Sequence, residues 1–178
     1  MKIIDLSFAY EGKEVFSHLD LDLEEPVICL KAPSGRGKTT LLKLIGGLLE
    51  LQGGKIEGAP EKPSFLFQED RLLPWYDALH NVSLVAEEEK ARELLEKLHI
   101  DPAARISSLS GGMKRRVALA RTLAYEGDLL ILDEPFKGMD SELITEAAEL
   151  ILARKKPVLM SSHSPEEALR MGAKIIEF

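Results

Sequence analysis

Three short runs of this chain are apolar at every position: Val27-Ile28-Cys29-Leu30, Leu129-Leu130-Ile131-Leu132 and Val158-Leu159-Met160. A half-exposed strand alternates apolar and polar residues, whereas an unbroken apolar run reads as a strand covered on both faces, the habit of parallel sheets. The opening of the chain reads differently. Residues 2 to 9 and 13 to 23 look like strands, the second alternating at Leu19, Leu21 and Leu23, with Glu11-Gly12 as the turn that makes them antiparallel. Ser64-Phe65-Leu66-Phe67 is a further short strand and Ala173 to Phe178 a closing one.

Helices are expected between these strands, at residues 38 to 49, 87 to 98, 111 to 125, 140 to 154 and 165 to 171. The fourth places Leu143, Ile144, Ala147, Leu150 and Ile151 on one face of a 3.6-residue period. Strands alternating with helices define an α/β fold with a mostly parallel central sheet. The stretch from about Leu72 to Tyr125 offers helices and no convincing strand, so it reads as a helical lobe inserted between two sheet strands. With 178 residues, 45% of them apolar, the chain supplies one well-buried core, and one domain over residues 1 to 178 is the expectation.

Composition excludes several classes of function. Net charge is −7, and the basic clusters Lys114-Arg115-Arg116 and Arg154-Lys155-Lys156 are too short to track a polyphosphate backbone, so nucleic acid is not the expected partner. No apolar run is long enough to span a membrane, and the N-terminus lacks a signal-peptide pattern, which points to the cytoplasm. Cys29 is the lone cysteine and sits among apolar neighbours, as a core filler would. Glu88 to Arg92 and Glu93 to Lys97 are pairs four apart in the favourable order, so the acidic run at Glu87 reads as a solvated helix start.

The segment Ala32-Pro33-Ser34-Gly35-Arg36-Gly37-Lys38-Thr39 follows a buried strand and opens a helix, the setting of a phosphate loop. Pro33, Ser34, Gly35, Arg36, Gly37, Lys38, Thr39 and Thr40 are the expected nucleotide contacts. Glycines let successive N–H groups turn inward, the helix start adds positive potential, Lys38 brings a compact charge and Thr39 a hydroxyl for Mg²⁺. Ala32 stands where the strict pattern has glycine, which matters only if that position requires positive φ. Asp133, at the end of an apolar strand, is the expected second Mg²⁺ ligand, its charge tolerable at the sheet edge once a cation neutralises it.

Leu109-Ser110-Gly111-Gly112-Met113-Lys114-Arg115-Arg116 leads into another helix. Ser110 is a natural N-cap, and a serine hydroxyl beside two unobstructed glycine N–H groups also makes an anion site. Lys38 already holds one end of a nucleotide, so this second site would serve the γ-phosphate of ATP bound by another copy.

Phosphate loop, Leu-Ser-Gly-Gly and Asp-Glu in this order resemble the ATP-binding subunit of ABC transporters, from Tyr10 to His163. The resemblance implies a P-loop NTPase fold and a head-to-tail dimer closing on two Mg-ATP. It implies a role for Glu134 as the carboxylate that polarises the attacking water, for Gln68 as a glutamine that touches Mg²⁺ and reports to the membrane subunit, and for His163 as the histidine that senses the γ-phosphate. Tyr10 matches the aromatic that stacks on adenine, and Gly138-Met139-Asp140 the family's loop at the dimer seam, with Asp140 equally placed to cap the next helix. Where the family usually has Asp after the histidine, Ser164 opens Ser164-Pro165-Glu166-Glu167, which reads as a capping box.

Glu69-Asp70-Arg71-Leu72-Leu73-Pro74-Trp75 resembles the segment after this glutamine in importers of the nitrate, sulfonate and taurine group, and Leu72, Leu73 and Trp75 suggest a docking patch. The implied partners are a second copy, transmembrane permease subunits docking near Gln68 to Trp75, and a separate solute-binding protein. The implied location is peripheral, at the inner face of the cell membrane. The rival readings are an ABC-type ATPase that never meets a membrane and a nucleotide-gated regulatory module; neither long heptad arms nor basic extensions favour the former.

Overall fold

The computed structural model describes residues 1–33 and 35–178, so the nucleotide contact expected of Ser34 lies outside the described residues. In chain order the strands are β1 (Lys2–Tyr10), β2 (Lys13–Asp22), β3 (Val27–Lys31), β4 (Gly53–Glu57), β5 (Pro63–Leu66), β6 (Leu129–Asp133), β7 (Val158–Ser161) and β8 (Lys174–Glu177). The helices are α1 (Lys38–Ile45), α2 (Ala78–Ser83), α3 (Glu88–Lys97), α4 (Gly111–Ala124), α5 (Ser141–Ala153) and α6 (Pro165–Arg170).

The three apolar runs are the interior strands of a five-stranded parallel sheet ordered β5-β6-β7-β3-β8. Every residue of β6 and β7 is buried. Within the unbroken runs the side chains still alternate between two cores. Ile28, Leu30, Ile131 and Leu159 meet Leu41, Leu42 and Ile45 of α1, while Cys29, Leu130, Leu132 and Met160 meet α4 and α5. Each fully buried leucine here contributes about 1.5–3 kcal/mol relative to exposure. Burial also pushes the Cys29 thiol up to about 11, which keeps it protonated and inert.

The opening strands belong to a separate antiparallel sheet, β2-β1-β4. Its Ile3, Leu6, Phe8 and Phe16 share one core with α1 and with Ile28, Leu30, Ile131 and Leu159 of the parallel sheet. β4 was not expected, and α1 ends at Ile45 where Gly46 caps it, short of the expected residue 49. Between β5 and β6 lie α2, α3 and α4, which pack mutually around Val82, Leu95, Leu98 and Leu119. Asn81, fully buried on α2, holds Leu73 through both backbone groups, donating to its oxygen at 3.1 Å and accepting from its N–H at 2.8 Å.

Candidate functional site

Gly37 makes the strand-to-helix turn at the start of α1. It sits at φ 97° and lends the helix no side-chain cap, so the first-turn N–H groups keep their donors for an anion. A β-carbon there would stand 2.7 Å from both Phe16 Cζ and Val15 Cγ1, so the β1–β2 hairpin seats directly on the loop. Lys38 is 8% exposed, its ammonium donating to the oxygens of Ala32 at 2.7 Å and Pro33 at 3.5 Å. Ala32 is not among the residues with positive φ, so its methyl causes no backbone strain.

Opposite this loop, β6 delivers Asp133, 2% exposed. A buried carboxylate is costly unless its lone pairs are used. Thr39 Oγ1 donates to Oδ2 at 2.6 Å and Ser161 Oγ to Oδ1 at 2.5 Å. The chain then turns sharply, with Glu134 at φ 53° and its N–H bonded to Ser161 Oγ at 3.0 Å. Glu134 Oε1 lies 3.1 Å from His163 Nε2.

Tyr10, Gly35 to Thr40, Gln68, Asp133, Glu134 and His163 line one cavity of about 590 Å³. Tyr10 stands at its rim, 43% exposed, with its ring edge-on to Phe8 at 4.9 Å. Lys13, Glu14 and Val15 line the same wall, which sequence reading missed because only the folded hairpin carries them there. Pro33 lines an adjoining recess with His163. The Thr39 hydroxyl, the Asp133 carboxylate and the Gln68 amide oxygen offer hard donors of the kind Mg²⁺ takes, and the Thr39–Asp133 contact brings two of them together.

Ser110, Gly111, Gly112 and Asp140 do not line this cavity. Ser110 Oγ accepts from the Met113 N–H at 3.3 Å, and Asp140 accepts from Glu142 and Leu143 at the start of α5, so both serve as helix caps. Gly111 is exposed and a β-carbon there would meet nothing, whereas Gly112 packs against Gly138.

The capping box expected at Ser164 does not form. The Ser164 side chain makes no cap bond; instead Ser162 Oγ accepts the Ser164 N–H at 2.9 Å and donates to Glu167 Oε2 at 2.5 Å. Ser162, 3% exposed directly after β7, is buried more deeply than the half-buried Ser164 and takes the Glu167 carboxylate in its place. The suggested docking patch divides: Trp75 is 73% exposed and Tyr76 40%, while Leu72 packs against the helical core. Arg115, read only as one of three bases on a helix, is buried beneath the site.

The profile of the family described as ABC transporter matches residues 17–137. The chain belongs to the ABC transporter family. It is 42% identical to an uncharacterized ABC transporter ATP-binding protein of Haemophilus influenzae, over 98% of this chain and 80% of that protein. It is 35% identical to the taurine import ATP-binding protein TauB of Pseudomonas putida, over 96% of this chain and 75% of TauB. The aliphatic sulfonates import ATP-binding protein SsuB 1 of Rhodococcus jostii is 36% identical, over 99% of this chain and 78% of that one. The dimeric structure of MJ0796, a bacterial ABC transporter cassette, superposes with a TM-score of 0.87 at 26% identity, covering 99% of this chain and 93% of that one. The expected P-loop ABC ATPase fold is the fold observed, and the chain is an ATP-binding ATPase.

Proposed function

We propose that this ATPase powers a membrane importer of a small anion or organic solute, and that two copies close head to tail around two Mg-ATP. The observation that carries the reading is a division of labour. Lys38, Thr39, Asp133, Glu134 and His163 converge on one cavity, while Ser110 and Gly111 present a helix start outside it. A copy placed opposite supplies what each cavity lacks, and the dimeric MJ0796 cassette supports that arrangement. The names of TauB and SsuB 1 support import of a small organic solute.

In the proposed chemistry the phosphate loop and Lys38 hold the triphosphate, and Tyr10 stacks on the base. Thr39, Asp133 and Gln68 would hold Mg²⁺, which supplies charge neutralisation at the outer phosphates. Glu134 accepts a hydrogen bond from the attacking water and takes its proton as oxygen bonds to the γ-phosphorus. The bond from that phosphorus to the bridging oxygen breaks, leaving ADP and phosphate. His163, 3.1 Å from Glu134, orients that carboxylate and touches the γ-phosphate. Asp140 and Gly112 belong to the seam. Ser110 and Gly111 bind the other copy's γ-phosphate more tightly than ADP, so hydrolysis reopens the pair, and permeases docked near Gln68 to Trp75 at the cytoplasmic face follow that motion. A separate solute-binding protein delivers the cargo.

The test is Glu134→Gln, which keeps size and removes the proton acceptor. It should bind ATP as the parent does, elute as a dimer with Mg-ATP and hydrolyse at least about a hundred-fold more slowly. Parental turnover in this variant would remove Glu134 from its role. A Glu134→Gln protein that stays monomeric when saturated with Mg-ATP, alone and with its permease, would sink the dimer.

A further inference from the structure

Beneath the cavity, Arg115 is 2% exposed and uses every N–H it has. Nε donates to the Glu134 oxygen at 3.2 Å. One terminal nitrogen donates to the Phe67 oxygen at 2.5 Å and to Asp70 Oδ1 at 3.0 Å. The other donates to the oxygens of Asp133 and Glu134, the latter at 3.1 Å. These five bonds join three segments distant in sequence: the residues after β5 on either side of Gln68, the end of β6 at the two carboxylate residues, and the first turns of α4 just after Ser110-Gly111.

Glu134 is the residue that most needs such support. It is a non-glycine at φ 53°, and the left-handed region is disfavoured for a residue with a β-carbon unless its surroundings hold it there. Its N–H is held from β7 by Ser161, and its oxygen is held by Arg115 from α4. The planar fork suits this task where an ammonium does not, because it fixes the directions of all its bonds at once. The direction of the Glu134 side chain therefore depends on where α4 stands.

We propose that Arg115 is a positioning residue for hydrolysis. It sets the Glu134 backbone, and with it the carboxylate, according to the position of α4, the helix whose N-terminus meets the other copy's nucleotide. The inference rests on the proposed roles of Glu134 and Ser110. In this scheme one guanidinium lets closure at one ATP tighten the hydrolytic geometry at the other, without touching either nucleotide.

The experiment compares Arg115→Lys and Arg115→Gln with the parent and with Glu134→Gln, reading thermal unfolding, Mg-ATP affinity and steady-state hydrolysis. The expected result is a fall in kcat of roughly ten- to a hundred-fold with ATP affinity within about two-fold of the parent, since misplacing a catalytic group costs rate before binding. Arg115→Lys, which keeps the charge and some of the bonds, should recover part of the rate lost in Arg115→Gln. If both folded variants hydrolyse like the parent while Glu134→Gln is inactive, the positioning role is wrong and the base assignment stands. If Glu134→Gln itself hydrolyses normally, the fault lies in the base assignment. Equal losses of affinity and rate, or failure of both Arg115 variants to fold, would assign Arg115 a purely structural part and overturn the proposal.

Discussion

Gly112 and Gly138 touch backbone to backbone: a β-carbon on Gly112 would stand 2.4 Å from the Gly138 oxygen, and one on Gly138 would stand 3.3 Å from the Gly112 α-carbon. Gly138 has φ 76° and leads directly to Asp140, the cap of α5. The start of α4 and the loop before α5 are thereby fitted together within one chain. Gly112→Ala should force them apart, at the ~1–3 kcal/mol typical of overpacking. At this chain length that lowers the melting temperature by several degrees, roughly 2–4 °C per kcal/mol. Gly111→Ala faces open space and should unfold close to the parental temperature. Scanning calorimetry on the pair checks the contrast; equal melting temperatures would contradict the packing role.

Ser161 is expected to matter to both acidic residues of the site. Its hydroxyl donates to Asp133 Oδ1 and accepts from the Glu134 N–H. Ser161→Ala leaves the buried Asp133 Oδ1 short of a donor and the Glu134 N–H with only the Ser161 backbone oxygen at 3.3 Å, a loss of about 1–3 kcal/mol. Hydrolysis should fall further than ATP affinity, because the phosphate loop is untouched. Urea denaturation and steady-state kinetics on the same preparation would expose a disagreement.

The exposed carboxylate of Glu126 gives a pH-dependent contribution of known sign. The Lys90 hydrogen bond first, and then that from Arg154, hold it down to about 2 from 4.5. A depressed folded pKa means stability fully present above about 4.5 and lost as pH falls from there towards 2. The side chain is 63% exposed, so screening limits the effect to about 1 kcal/mol or less. Glu126→Gln should thus be slightly less stable than the parent at neutral pH, with the gap narrowing on acidification and with added salt. Denaturant midpoints at neutral pH and at about pH 3 measure it; a gap that widens in acid would contradict the pairing.

The central sheet was legible because Ile28, Leu130 and Leu159 belong to strands buried on both faces, and nothing but burial explains runs so apolar. β4 was not, since Gly53-Gly54-Lys55-Ile56-Glu57 has no apolar alternation and pairs with β1 through its backbone at the sheet edge. α2 is only six residues long, too short to show a helical period, and Asp77 alone marks its start through a bond to the His80 N–H. Leu48 and Leu49 prolong the apolar pattern of α1 beyond its end because side-chain pattern says nothing of the stop at Gly46. That Lys38, Asp133 and His163 would come together at one cavity was legible because each lies at or shortly after the end of a buried strand. The placing of Arg115 was not legible, because its partners Phe67 and Glu134 lie 48 and 19 residues away, just past the ends of β5 and β6, which only the fold brings to it.

The Arg115–Asp70 contact joins positions 45 residues apart. It closes α2 and α3 into a tethered excursion, and closing a long loop reduces the freedom it can regain on local opening. Cysteine pairs do the same elsewhere, but a guanidinium clasp contains no sulfur to reduce. The clasp is therefore indifferent to thiols, and the helices it gathers can loosen and re-dock without any covalent bond being remade.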